Sequence, residues 1–202
     1  MYIIMDKDSI ILYIIIAFVL LVGLKVYSES DAYNLKCIIS DVDGERYCVR
    51  ERSKMQLAAD LLSKVTKNLK DLVVYCSKKF PDDENVHRMV QKFNPTKISE
   101  TLPTSEYTAY SENKGEKIAF CLNKEKNGTK LIDINTLTFV AIHELAHIMT
   151  ISEGHKQEFW ENFKFLLEQA KAAKIYEPID YKKNPEPYCG MDITDNPYYD
   201  FK

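Results

Sequence analysis

The sequence predicts an α+β domain placed behind a membrane-spanning helix, and three observations predict it. Residues 10–24 form an unbroken run of apolar or small side chains. Two pairs of short apolar-rich runs each flank a turn signal, Asp43-Gly44 in one and Asn113-Lys114-Gly115 in the other. Three longer stretches repeat apolar residues at every third or fourth position, the spacing of a helix with one buried face. A chain of 202 residues is long enough to bury a core without metal or disulfide staples. Its 46% hydrophobic content excludes a wholly disordered chain, and its net charge of −3 gives no bulk attraction for nucleic acid or anionic lipid.

Residues 1–30 read as an N-terminal anchor. The span Ser9–Tyr27 has 19 residues, above the lower limit of roughly 17 for crossing a bilayer as a helix. It is apolar all round, unlike a surface helix of a soluble domain. Tyr27 falls where an interfacial aromatic ring is favoured. A cleaved signal peptide is the alternative: Ser28-Glu29-Ser30 resembles a cleavage triplet, although Asp6, Lys7 and Asp8 lack the net positive charge of such a leader. Lys25 and Lys36 follow the span and only Lys7 precedes it, which favours the cytoplasmic side for the large domain. Asn127-Gly128-Thr129 is an N-glycosylation triplet that would be used only on the opposite side, and it reads here as an Asn-Gly turn.

Residues 31–202 read as one folded domain. Runs 37–41 and 45–50 form a first hairpin around Asp43-Gly44. Ser53 is a candidate cap for a helix to about Lys79, with Leu57, Leu61, Leu62, Val65, Leu69, Leu72, Val73 and Cys76 on one side. Pro81 ends it. Asp82-Asp83-Glu84 opens a shorter helix to Phe93, acids at its positive end, and Asn94-Pro95 begins a loop. Runs 107–111 and 117–122 form a second hairpin. Asn135 or Thr136 caps a helix from Leu137 to Ile151, and a further helix runs from Lys156 to Lys174. Beyond Tyr176 the prolines and tyrosines predict an irregular tail over 176–202. The five cysteines, at 37, 48, 76, 121 and 189, contain no C-x-x-C pair, and the odd count leaves at least one thiol unpaired or intermolecular.

Chemistry concentrates in residues 143–155. His143-Glu144-Leu145-Ala146-His147 places two imidazoles four residues apart on one helical face, able to share one metal ion. Glu144 stands one step round, within reach of a water on that metal without ligating it. Gly154-His155 follows where the helix must turn, so His155 is the candidate third ligand, with Glu158 and Glu161 as alternatives. Three protein ligands and one open position is the arrangement of catalytic zinc. A hydrogen-bonded core histidine pair, or a closed structural site completed by Cys189, are the competing readings. The metzincin spacing fails, because Thr150 and Glu153 stand where its glycine and third histidine belong.

The run 143–147, then Gly154-His155 and Glu158-Phe159-Trp160, resembles the WLM and SprT-like zinc metallopeptidases, with seven rather than about five residues between His147 and His155. The chain as a whole, anchor and Cys189-Gly190 tail included, is similar to members of that group encoded by large DNA viruses. The resemblance implies a zincin-like fold, with a small sheet packed on the HExxH helix and an active core over about 107–174. It implies Zn2+ held by His143, His147 and His155, Glu144 as general base, and a protein or peptide substrate. It also implies substrate binding along the strand Lys117, Ile118, Ala119 and Phe120, and a virion or host membrane as the location. Tyr107, Tyr110 and Tyr188 are candidate oxyanion donors. Cys189 is a candidate inhibitory thiol, or else a packed tail cysteine. Lys64, Lys67, Lys70, Lys78 and Lys79 stripe the first helix of the domain and read as a solvated face, with DNA contact as the alternative; His87 reads as exposed. The reading from another class is a membrane-tethered interaction protein that holds zinc without turnover. Hydrolysis of a non-peptide amide is a third.

Overall fold

The computed structural model describes residues 7–29 and 35–200, so Asp6 and Ser30 lie outside the described residues. The chain divides into two units, residues 1–34 and 35–202. The first contains α1 (Lys7–Glu29), whose apolar stretch Ser9–Tyr27 is long enough to cross a membrane. Its large side chains from Ile10 to Tyr27 are exposed, which suits either a membrane span or a signal sequence.

The second unit is a mixed α+β domain around a five-stranded sheet. Strands β1 (Leu35–Ile39) and β2 (Arg46–Arg50) pair antiparallel, with Cys37 opposite Cys48 and joined to it by a disulfide. The predicted turn closes through Ser40 N–H to the Glu45 carbonyl at 2.9 Å, and the Tyr47 hydroxyl donates to Asp43. Next comes α2 (Met55–Lys79), buried along Leu61, Leu62, Val65, Leu69, Leu72 and Cys76. Ser53 does not cap it. The N-cap is Lys54, without a side-chain bond, so packing of the apolar face holds the first turn. Helix α3 (Glu84–Lys92) starts as predicted, the Asp83 carboxylate accepting from the N–H groups of Asn85 and Val86.

A strand then appears where a loop was expected. After a 3-10 turn over Pro95–Lys97, β3 (Ile98–Glu100) pairs parallel with both β2 and β5 (Lys117–Phe120). The last strand, β4 (Ala109–Glu112), pairs antiparallel with β5, giving the order β1-β2-β3-β5-β4. The second hairpin turns through Asn113 and Lys114 in the left-handed region and Gly115 at φ +114°. A Cβ on Gly115 would lie 2.5 Å from the Lys92 carbonyl oxygen, so only glycine fits there.

Helix α4 (Ile134–Met149) is capped by Asp133, whose carboxylate accepts from Thr136 N–H at 2.9 Å. Asn135, expected as a cap, instead exchanges two hydrogen bonds with the Glu177 backbone. Helix α5 (Gln157–Ala172) packs on α4, and buried side chains of both join those of α2, α3 and the sheet in one apolar core. The tail is not irregular. It forms a hairpin of β6 (Glu186–Tyr188) and β7 (Met191–Ile193), followed by one turn of helix, α6 (Pro197–Asp200). Its polar tyrosines act as anchors: Tyr181 is fully buried with its ring 4.9 Å from Phe139, and buried Asn196 donates to the Tyr176 hydroxyl and the Ile179 carbonyl. A disulfide between Cys121 and Cys189 ties the hairpin to the end of β5, leaving buried Cys76 as the free thiol.

Candidate metal centre

Helix α4 builds the first half of the site. Its side chains are apolar on nearly every face, which embeds it in the core and leaves His143 and His147 partly open toward one side. Thr150 then ends the helix: its backbone N–H and its hydroxyl both bond the Ala146 carbonyl, and buried Asn162 donates to that hydroxyl at 2.9 Å. Gly154, at φ +75°, supplies the left-handed residue that turns the chain back toward the helix. His155 Nε2 thereby lies 3.1 Å from His143 Nε2, and His147 Nε2 lies 3.2 Å from the same atom. All three histidines can offer a ligand nitrogen within 4.8 Å of the others. Three nitrogens bound at about 2.0–2.1 Å around a tetrahedral ion stand roughly 3.3 Å apart, so the donor set fits one metal ion.

Phe159, the first apolar residue of α5, holds the rings in place. Its ring stacks on His147 at 4.3 Å and meets His155 at 4.6 Å and His143 at 4.9 Å, edge to face. Burial, with His147 and His155 beside it, lowers the His143 pKa to about 3, and burial lowers His147 to about 4. Burial lowers His155 as well. All three are therefore neutral at pH 7, the form that offers a lone pair to a metal.

Glu144 is buried, lines the adjoining cavity, and has its pKa raised to about 8 by desolvation. A raised carboxyl pKa contributes stability that is complete below about 4.5 and lost as the pH rises through about 8. In chelator, Glu144→Gln is therefore expected to melt higher than the parent chain at pH 8. That gap should close as the pH falls toward 4.5, followed by thermal unfolding at about 2–4 °C per kcal/mol.

The loop carrying His155 is clamped by residues that spacing alone did not reveal. The Lys114 ammonium donates to the carbonyls of Thr150 and Ile151, at 3.0 and 2.6 Å, and pairs with Glu153 at 3.1 Å. Arg88 donates to the Met149 carbonyl, and Trp160 Nε1–H donates to the His155 carbonyl at 3.1 Å. Glu158, the alternative ligand, is engaged otherwise: its carboxylate accepts the N–H groups of Ile151 and Ser152 at 2.9 and 3.1 Å, bonds that lower its pKa. Glu161 accepts from Gln157 on the exposed side of α5. Lys114→Met removes both the carbonyl bonds and the Glu153 pair that hold the loop and is expected to weaken metal affinity by about 10–100-fold, read by competition with a chromophoric chelator.

Two expected site elements are placed differently. Strand β5 is paired on both sides, and Ile118, Ala119 and Phe120 are fully buried, so neither they nor Lys117 borders the cavity. The strand beside the site is β4, which among the described residues is the outer strand of the sheet next to β5, and residues 107–111 line the cavity instead. The reason is the unforeseen β3, which occupies the other side of β5. Cys189 is buried in its disulfide with Cys121 and offers no thiolate to the histidines. Its neighbour Tyr188 does line the cavity, as do Tyr107 and Tyr110, and donates its hydroxyl to the Thr108 carbonyl at 3.0 Å. The cavity has a volume of about 630 Å3, with Phe139, Val140, His143, Glu144 and His147 along one side and Met191–Asp195 along another. On α2, Lys67 pairs with Asp71 and Lys79 with Gln169.

Comparison with known proteins gives a consistent assignment. An uncharacterized protein of Acanthamoeba polyphaga mimivirus is 30% identical over 195 residues, covering 91% of this chain and 97% of that protein. An uncharacterized protein of Invertebrate iridescent virus 6 is 37% identical over 76 residues, 37% of this chain and 41% of that protein. A third, from Invertebrate iridescent virus 3, is 34% identical over 100 residues, 49% of this chain and 57% of that protein. No solved structure gives a significant match. The WLM domain matches residues 86–192, from α3 through the metal centre to the tail hairpin, and the chain belongs to the WLM domain family.

Proposed function

We propose that this protein is a zinc-dependent, zincin-like peptidase of viral type, held at a membrane by α1. The observation that carries the reading is the convergence of three neutral imidazoles beside a buried carboxylate, open to a cavity large enough for several peptide groups. Zinc, when bound by His143, His147 and His155, would supply a Lewis acid that polarises the scissile carbonyl and acidifies water. Glu144 takes a proton from the attacking water and passes it to the leaving amine, a task that its place at the cavity wall beside the histidines suits. The outer position of β4 in the sheet, beside the cavity, lets an extended peptide add as a further strand, its backbone held by main-chain hydrogen bonds and its side chains facing the cavity.

The test uses the full-length chain in detergent, purified without a metal-chelating tag. One zinc per chain and chelator-sensitive cleavage of casein are expected, with metal and cleavage both lost in His155→Ala. Zinc without cleavage would return the fold to a binding role, and absence of metal would return the histidines to the core.

A further inference from the structure

We propose that the folded domain matures in an oxidising, glycosylating compartment and that Asn127 carries an N-linked glycan there. Two independent features of the domain lead to this. The first is cysteine pairing: four of the five cysteines, scattered through the sequence, are brought together as Cys37–Cys48 and Cys121–Cys189. Structural disulfides of this kind form and persist where thiols are oxidised and are rare in reducing cytosol. The second is the triplet Asn127-Gly128-Thr129, the single acceptor sequence in the chain, since Asn94-Pro95-Thr96 has proline in its middle.

The fold presents that triplet as a glycan acceptor requires. Asn127 and Thr129 are both exposed, on a turn closed by Gly128 N–H to the Glu125 carbonyl at 3.0 Å. The turn is fixed from beneath: Arg50 donates to the Lys126 carbonyl, Asn123 donates to the Gly128 carbonyl, and Gly190 N–H bonds the Lys124 carbonyl. None of residues 127–129 lines the catalytic cavity, so a glycan there leaves the metal centre open. The cysteine and glycan features place the domain opposite to the side that Lys25 and Lys36 favoured. They hold whether α1 stays as an anchor or is removed as a signal sequence, because both routes deliver the domain to the same lumen.

The chemistry balances with the reagents of that compartment. The Asn127 side-chain amide nitrogen bonds to the anomeric carbon of a lipid-pyrophosphate-linked oligosaccharide, loses a proton, and releases the lipid pyrophosphate. Four thiols give up four protons and four electrons to two disulfide-bearing oxidants, which leave as dithiols.

The full-length chain is expressed in animal cells and its microsomes are isolated. Expected are one mobility step removed by an N-glycan amidase, absent in Asn127→Gln and in Thr129→Ala, and a domain protected from added protease until detergent is supplied. Under denaturing, non-reducing conditions a maleimide should label one cysteine per chain, rising to five after reduction. A chain whose mobility ignores the glycosidase, a step that survives Thr129→Ala, a domain digested in sealed vesicles, or five free thiols before reduction would each overturn the proposal.

Discussion

Glu144→Gln is expected to lower peptide hydrolysis by about 10²–10⁴-fold while leaving metal stoichiometry unchanged. The substitution keeps the shape and burial of the side chain but removes the buried carboxylate that the proposed mechanism uses to accept the water's proton and return it. The metal ligands are untouched, because the three imidazoles are oriented by Phe159 and by the loop clamps, not by Glu144. The two readouts should therefore separate: zinc by elemental analysis stays at one per chain, and kcat collapses. A variant that loses metal and activity together would make Glu144 a structural element of the site, and one that keeps its activity would remove it from the mechanism.

The largest effect on stability is expected at Glu100. This carboxylate is 1% exposed on the three-residue strand β3. It accepts two hydrogen bonds from the Arg52 guanidinium, at 2.7 and 3.0 Å, and a third from Arg50 N–H at 2.8 Å. The Arg50 guanidinium, also buried, donates in turn to the carbonyls of Thr101, Leu102 and Lys126. Glu100→Ala leaves two arginines without their counter-charge, and breaking a buried pair in this way costs about 3–5 kcal/mol. Against the roughly 5–15 kcal/mol of a typical domain, that is a large fraction. Asp71→Ala, which breaks the exposed Lys67–Asp71 pair, should cost no more than about 0.5 kcal/mol. Chemical denaturation of both variants checks the contrast, and similar midpoints would show that β3 is held by backbone pairing alone.

The sequence displayed the histidine cluster of the candidate metal centre more clearly than the sheet that supports it. Histidines four residues apart share a helical face whatever surrounds them, so His143 and His147 were legible from spacing, and Gly154 marked the turn that returns His155. The hairpins were legible because Asp43-Gly44 and Asn113-Lys114-Gly115 announce turns locally. Strand β3 was not. Ile98-Ser99-Glu100 is too short and too polar to show alternation, and its partners lie some fifty residues before it and twenty after it. With β3 in place, β5 lies inside the sheet, away from the substrate-binding position that the family resemblance implied for it. The loop clamps were hidden for the same reason, since Lys114 and Arg88 reach the Met149–Ser152 backbone only after folding. Cys189 looked like a free thiol because its partner, Cys121, is 68 residues away and no spacing rule connects them.

That last link also orders events in time. The cavity wall formed by Tyr188 and Met191–Asp195 is translated after β4, α4 and the His155 loop, and the Cys121–Cys189 disulfide joins it to the end of β5. A growing chain can thus present all three imidazoles and Glu144 before it has a closed cleft in which to hold anything. A complete cleft is therefore a post-translational acquisition, reached only after the tail hairpin has docked.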